Sequence, residues 1–311
     1  MRKLIYKICI YAGFVCLLLV CLEYLSMAPQ TKATIARVSN SEDYLSQGSG
    51  TSDIIPIIQS AKEEDDRNVL VIGDSIARQM FTSLLADEPQ VKVACANAAI
   101  NITGQYMIAM EYLESHPEAE EIWLFAHPLT LTRTYDLDLG YGYAVMPFAI
   151  EGSLKYLDDV TLDQMASVYG RLALNGKISS LVDASPLNRK MFLSYIRMHN
   201  TAYVQEGVYD IAAQYILRLK AECEARGVDF HFYSSPSTEY YRDKISETKE
   251  DYVNSPLYDV YPDYLDSVYY FPTEWSDDYT HFGEGYANVE VYRGVIEEAY
   301  GGDIKASIGD S

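Results

Sequence analysis

Asn68-Val69-Leu70-Val71-Ile72-Gly73-Asp74-Ser75 decides the reading of the fold. Val69 to Ile72 is an unbroken apolar run, mostly β-branched, closed by a glycine. Such a run reads as a short strand buried on both faces, which is the habit of parallel sheets. Directly after it, Ile76, Met80, Phe81, Leu84 and Leu85 recur at helical spacing. Val91 to Cys95 reads as a second strand, Gln105 to Ser115 as a second helix and Ile122 to Phe125 as a third strand. This alternation predicts an α/β domain with a parallel sheet covered by helices on both faces.

Further along, Val208, Ile211, Ala212, Tyr215, Leu219 and Cys223 line one face of a helix that Gly227 stops. Val228 to Tyr233 predicts a fourth strand, Ser267 to Phe271 a fifth, and Gly283 to Tyr300 a closing helix. Residues 128–205 fit no strand–helix alternation. They read as an insertion packed over the carboxyl ends of the strands. The domain is expected over 68–302, with a short tail over 303–311.

Before the domain, Ile8 to Leu22 carries no charge, and Arg2, Lys3 and Lys7 precede it. With its flanks the run approaches the length that spans a bilayer. The upstream cations predict a cytoplasmic amino terminus and an extracellular domain, so residues 1–28 are expected to be a signal-anchor. The alternative is a cleaved signal peptide with its site at Ser26-Met27-Ala28, which leaves a secreted chain. Residues 29–67 are rich in Ser, Thr, Gln and charge, and read as a flexible linker in which Ile54 to Ile58 is expected to pack on the domain edge and Lys62 to Arg67 is a solvated charge run.

The 311 residues hold 24 Lys and Arg against 45 Asp and Glu, a net charge of −21. A body this acidic, with no basic stripe, is not built to neutralise phosphates, so no nucleic-acid partner is expected. Outside the apolar run only Cys95 and Cys223 remain, and both fall in apolar patterns. No metal site and no cofactor are expected.

Chemistry concentrates at two places. Gly73-Asp74-Ser75 sits between the first strand and the first helix, where open parallel sheets bind ligands. A serine there lies at the positive end of a helix. The competing reading is that Asp74 or Ser75 only caps the helix. Near the other end stands Asp278-Tyr279-Thr280-His281. A serine hydroxyl needs a base, and an imidazole base needs a carboxylate to fix its tautomer. Asp278, three positions before His281, can reach it within one turn.

The order of these two blocks around an α/β body resembles the SGNH (GDSL-type) hydrolases, over about residues 68–300. The resemblance implies a three-layer, flavodoxin-like sheet. It assigns Ser75 as nucleophile, His281 as base and Asp278 as its orienting carboxylate. It points to Gly104, after the second strand, and to His127 as oxyanion donors; His127 stands where the family carries an asparagine. Arg78 and Arg133 are candidate substrate contacts. Asn101-Ile102-Thr103 also matches a glycosylation acceptor. The chain is most similar to membrane-anchored envelope members of the family. It is therefore expected to be a serine esterase or O-acyltransferase acting on an acylated cell-surface glycan, with envelope-assembly proteins as further partners. The alternative is an inactive SGNH fold serving as a binding or scaffold component of polysaccharide assembly.

Overall fold

A computed structural model describes residues 50–135, 140–199 and 207–300, with isolated positions among the first 21. The expected anchor over 1–28, apart from those positions, and the tail over 303–311 lie outside the described residues. Among the described residues no helix is long and apolar enough to cross a membrane.

Four strands, β1 (Val69–Gly73), β2 (Val91–Val93), β3 (Glu121–Ala126) and β4 (Asp229–Ser234), form one parallel sheet in the order β2-β1-β3-β4. The register sets Val71 beside Val93 and Trp123, and Phe125 beside Tyr233. The helices in chain order are α1 (Gly50–Lys62), α2 (Ser75–Leu84), α3 (Asn101–Ser115), α4 (Pro128–Leu131), α5 (Met146–Glu151), α6 (Asp159–Tyr169), α7 (Gly176–Asp183), α8 (Pro186–His199), α9 (Asp210–Arg226), α10 (Arg242–Glu247), α11 (Lys249–Val253) and α12 (Val289–Tyr300).

Strand side chains alternate between two separate cores. Leu70, Ile72, Ile122 and Leu124 pack with α1, α3 and α9. Val69, Val71, Trp123 and Phe125 pack with α2 and α12. Helices therefore cover both faces, as the continuous apolar strands require. Gly227 ends α9 in the left-handed region, at φ of 74°, and its N–H closes the last turn on the Cys223 and Glu224 carbonyls.

Several expectations change. Residues 50–62, expected within the linker, form α1, and Ile54, Ile58 and Ala61 are completely buried. The charge run after it is exposed from Glu63 to Arg67, as expected, and it also supplies partners to a buried lysine. Lys92, 1% exposed on the edge strand β2, donates to the carbonyls of Ser60 (2.7 Å) and Glu63 (2.9 Å) and pairs with Asp65 at 2.9 Å. It thus caps the negative end of α1 and covers a sheet edge. Burial would raise the Asp65 carboxyl, but hydrogen bonds from Lys92, the Arg67 N–H and His116 outweigh it and hold it below its ordinary value. Lys92→Met removes the buried cation and leaves Asp65 and the two carbonyls without it. Its expected cost is about 3 kcal/mol, read as a lower urea midpoint with an unchanged slope. A shift worth less than about 1 kcal/mol would mean that apolar contacts alone hold α1.

The fifth strand does not join the sheet. Ser237–Thr238 (β5) and Tyr270–Phe271 (β6) pair instead in a separate two-stranded parallel sheet. The described part of the insertion mostly lies away from the strand ends. Apart from α4 and the residues just after it, it packs beside α1 and α3 on one face. The reason lies in α3, where every residue from Asn101 to Leu113 is buried, so its outer side needs a cover as much as its sheet side. Buried Glu111 fixes that cover by accepting from Ser153 Oγ (2.6 Å) and Tyr156 Oη (2.9 Å). Asn101 is 3% exposed and its Oδ1 accepts from the Thr103 N–H at 2.9 Å, so burial excludes it as a glycosylation acceptor in the folded chain.

Candidate active site

The site begins with the turn from β1 into α2. Gly73 is required by close approach: a Cβ there would lie 2.7 Å from both the Ala77 Cβ and the Phe125 carbonyl oxygen. Asp74 caps α2, accepting from the N–H groups of Ile76 (3.0 Å) and Ala77 (3.2 Å) through Oδ1. Its Oδ2 accepts from the His127 N–H at 2.6 Å and so ties the end of β3 to the same turn. Burial pushes this carboxyl above its ordinary value despite those donors. Capping thus belongs to Asp74, which leaves Ser75 free for another role. Ser75 is the first residue of α2, and among the described residues no acceptor meets its N–H.

The second half of the site arrives 206 positions later. His281 Nε2 lies 2.8 Å from Ser75 Oγ, and His281 Nδ1 lies 2.7 Å from Asp278 Oδ2. The carboxylate accepts a hydrogen bond from Nδ1–H and so keeps the ring proton on Nδ1, which leaves Nε2 to accept from the serine hydroxyl. Asp278 also builds the loop that carries the histidine. Its Oδ1 accepts from the N–H groups of Thr280 (2.9 Å) and His281 (2.7 Å). Tyr279 between them adopts φ of 65°, a left-handed conformation costly for a bulky residue. Thr238 Oγ1 holds its carbonyl at 2.6 Å, so the small β5-β6 sheet braces the strained point.

Two further anchors set the distance to Ser75. Phe282 is buried and stacks on Phe271 with ring centroids 4.2 Å apart. Gln79, one turn after Ser75, donates to the Phe282 carbonyl (2.7 Å) and accepts from its N–H (2.9 Å). This paired bond locks the histidine loop to the helix that carries Ser75. Gln79→Ala is expected to lower kcat about 10²-fold, since a shift of about 1 Å in the reacting pair costs that much. Steady-state kinetics test this; an unchanged kcat would leave Phe282 packing as the sole anchor.

The other sequence candidates divide. Gly104 is not among the residues that line the cleft beside Ser75. Ile100 is the N-cap of α3, so the Gly104 N–H makes the first bond inside that helix. A Cβ at Gly104 would meet Ile100 at 2.7 Å and Phe148 at 3.1 Å, which explains the glycine by packing. Of the loop after β2, Ala98 lines the cleft instead. His127 does line it, but all its nitrogens are engaged. Nδ1 accepts from the Leu129 N–H (3.2 Å), Nε2 meets Ser237 Oγ (2.9 Å) and the backbone N–H serves Asp74. Burial, helped by Arg133, holds its pKa down at about 4, so the ring is neutral and Nε2 carries the proton to Ser237. The side chain is therefore not free to meet an oxyanion. Arg133 lines the same cleft and Arg78 a second cleft on the other side of Ser75. Lys244 and Tyr241 also line the first; nothing in their local sequence marks them, because α10 reaches the site only through the tertiary fold.

No described cluster of His, Cys, Asp or Glu is arranged to hold a metal. No family model, no curated protein and no solved structure matches the chain.

Proposed function

We propose that this chain is an SGNH-like serine esterase or O-acyltransferase that acts on O-acyl groups of a cell-surface glycan, held outside the membrane by its amino-terminal segment. The observation that carries the reading is the unbroken hydrogen-bond series Ser75–His281–Asp278. A serine merely capping a helix has no need of an imidazole, and a structural histidine has no need of a serine at the positive end of a helix. The strand order β2-β1-β3-β4 supports the finer assignment to a flavodoxin-like, SGNH-type sheet.

In the first step the Ser75 hydroxyl proton passes to His281 Nε2 while Oγ bonds to the ester carbonyl carbon. The carbonyl electron pair moves to oxygen, and this oxyanion meets the Ser75 N–H at the start of α2. Collapse breaks the bond to the sugar oxygen, which takes the proton from His281. Water, or a second sugar hydroxyl, then gives its proton to His281 and attacks the acyl-serine carbonyl; collapse breaks the bond to Ser75 Oγ, which takes the proton back from His281 and releases the free acid or the new sugar ester. Hydrolase and transferase differ only in that acceptor.

A glycan partner is supported by the rim. Tyr240 and Tyr279 are 59% and 54% exposed, and their rings lie 4.7 Å apart beside the histidine loop. Aromatic faces of this kind present large apolar area with a polar tip, suited to a sugar ring. The fully engaged side chain of His127 favours the second reading, an inactive SGNH fold that binds glycan in an assembly complex. Incubation with p-nitrophenyl acetate separates the two. Turnover by the wild type that Ser75→Ala lacks supports the enzyme; equal background from both, with an acetylated oligosaccharide also left intact, overturns it. Mass spectrometry after an acyl donor and an oligosaccharide are supplied together distinguishes the two enzymes, because only the transferase adds acyl mass to the sugar.

A further inference from the structure

Three cations surround Ser75 in a chain dominated by acid. Arg133 and Lys244 line a cleft of about 280 Å³ on one side of it. Arg78 lines a wider one, about 560 Å³, on the other. None of the three has a carboxylate partner among the described residues. By contrast, Lys62, Lys92, Lys155, Arg189 and Arg218 all hold ion pairs. The chain as a whole holds 45 acidic residues against 24 basic ones. The sole carboxylate lining either cleft is Asp74, which is 2% exposed and has both oxygens occupied by backbone N–H groups. No carboxylate that lines either cleft pairs with these three cations.

We propose that the glycan is anionic, carrying a carboxylate or phosphate next to the acylated position, and that Arg133 and Lys244 bind this charge while Arg78 meets charge on the chain beyond the ester. The inference rests on the reading of the site as a glycan ester site. A neutral sugar ester gives these side chains nothing to pair with, whereas an anion takes charge-assisted hydrogen bonds from each. The acidic body around a cationic cleft also discriminates. A polyanion is repelled from the general surface and is attracted only where the three cations gather.

Binding to the full-length Ser75→Ala protein tests this without turnover. Isothermal titration uses trigalacturonate as the carboxylate probe, mannose 6-phosphate as the phosphate probe, and galactotriose as the neutral control. At low salt at least one anion is expected to bind about tenfold or more tighter than galactotriose, and added salt should erode the difference. Arg133→Gln and Lys244→Gln should each reduce that preference about five- to tenfold, and Arg133→Glu should reduce it further. None of these changes enters either core, and circular dichroism checks that each variant is folded. Whichever anion binds tighter identifies the charged group as carboxylate or phosphate. Equal affinity for charged and neutral probes, or a preference that survives all the substitutions, overturns the inference. Its fate is separable from that of the esterase: a wild-type chain that hydrolyses no ester yet prefers an anion loses the enzymatic reading alone.

Discussion

Ser75→Ala is expected to lower the kcat for p-nitrophenyl acetate by about 10⁴-fold or more, and His281→Ala to lower it as far, with the double variant no slower than either. The magnitude follows from the geometry. The serine hydroxyl is a weak nucleophile at neutral pH, and its proton has one visible acceptor, His281 Nε2 at 2.8 Å. Removing the hydroxyl removes the atom that attacks. Removing the imidazole leaves the atom but strands its proton, so the transition state is lost either way. The residual rate then comes from the Ser75 N–H and the cleft, which both variants keep, and this is why the losses do not add. Neither change should unfold the chain, because α2 is capped by Asp74 and the loop is held by Gln79 and Phe282. The test is kcat for the three variants, with thermal unfolding as control. Substantial turnover in Ser75→Ala would sink the assignment. Turnover in His281→Ala alone would mean that another base takes the proton.

What the residues reveal follows the range of the interactions concerned. The β1–α2 unit is legible because a continuous apolar run, a glycine and a helical period are all local. Helix α9 is legible for the same reason, with its glycine stop in place. The pairing of Ser75 with His281 spans 206 positions, yet the two blocks flank the body in an order that chemistry makes recognisable. Helix α1 is hidden by composition. Ser, Thr and Gly around it suggest a linker, and its stabilising partner Lys92 lies 29 or more positions away on another element. The role of Gly104 is ambiguous in sequence because a glycine opening a helix marks close packing as readily as a ligand site, and only Phe148 against it tells the two apart. His127 illustrates the same limit: its place beside the nucleophile is visible, but the engagement of its ring with Ser237, 110 positions on, is not.

Asp278→Asn is expected to cost about 10³–10⁴-fold in kcat while leaving the fold in place. Two functions of the carboxylate separate in this variant. The amide oxygen can still accept from the N–H groups of Thr280 and His281, so the loop and the left-handed Tyr279 are retained. The second oxygen is replaced by an NH₂ group, which donates where Oδ2 accepted. It therefore pairs with an unprotonated Nδ1, driving the proton to Nε2, where the serine needs an acceptor. The loss is one of tautomer and of stabilisation for the imidazolium, not of position. The pH dependence gives an independent check. Burial alone would raise the Asp278 carboxyl, but the bond from the His281 ring and those from the His281 and Thr280 N–H groups hold it down at about 2. Because the folded value lies below the ordinary 3.8, the stability it contributes is complete above about pH 4 and is lost as pH falls toward 2. With the side chain 56% exposed, solvent screens that contribution and it should be small. The carboxylate therefore stays charged through the neutral range. An Asp278→Asn variant with nearly the wild-type kcat would show that some other group orients the ring.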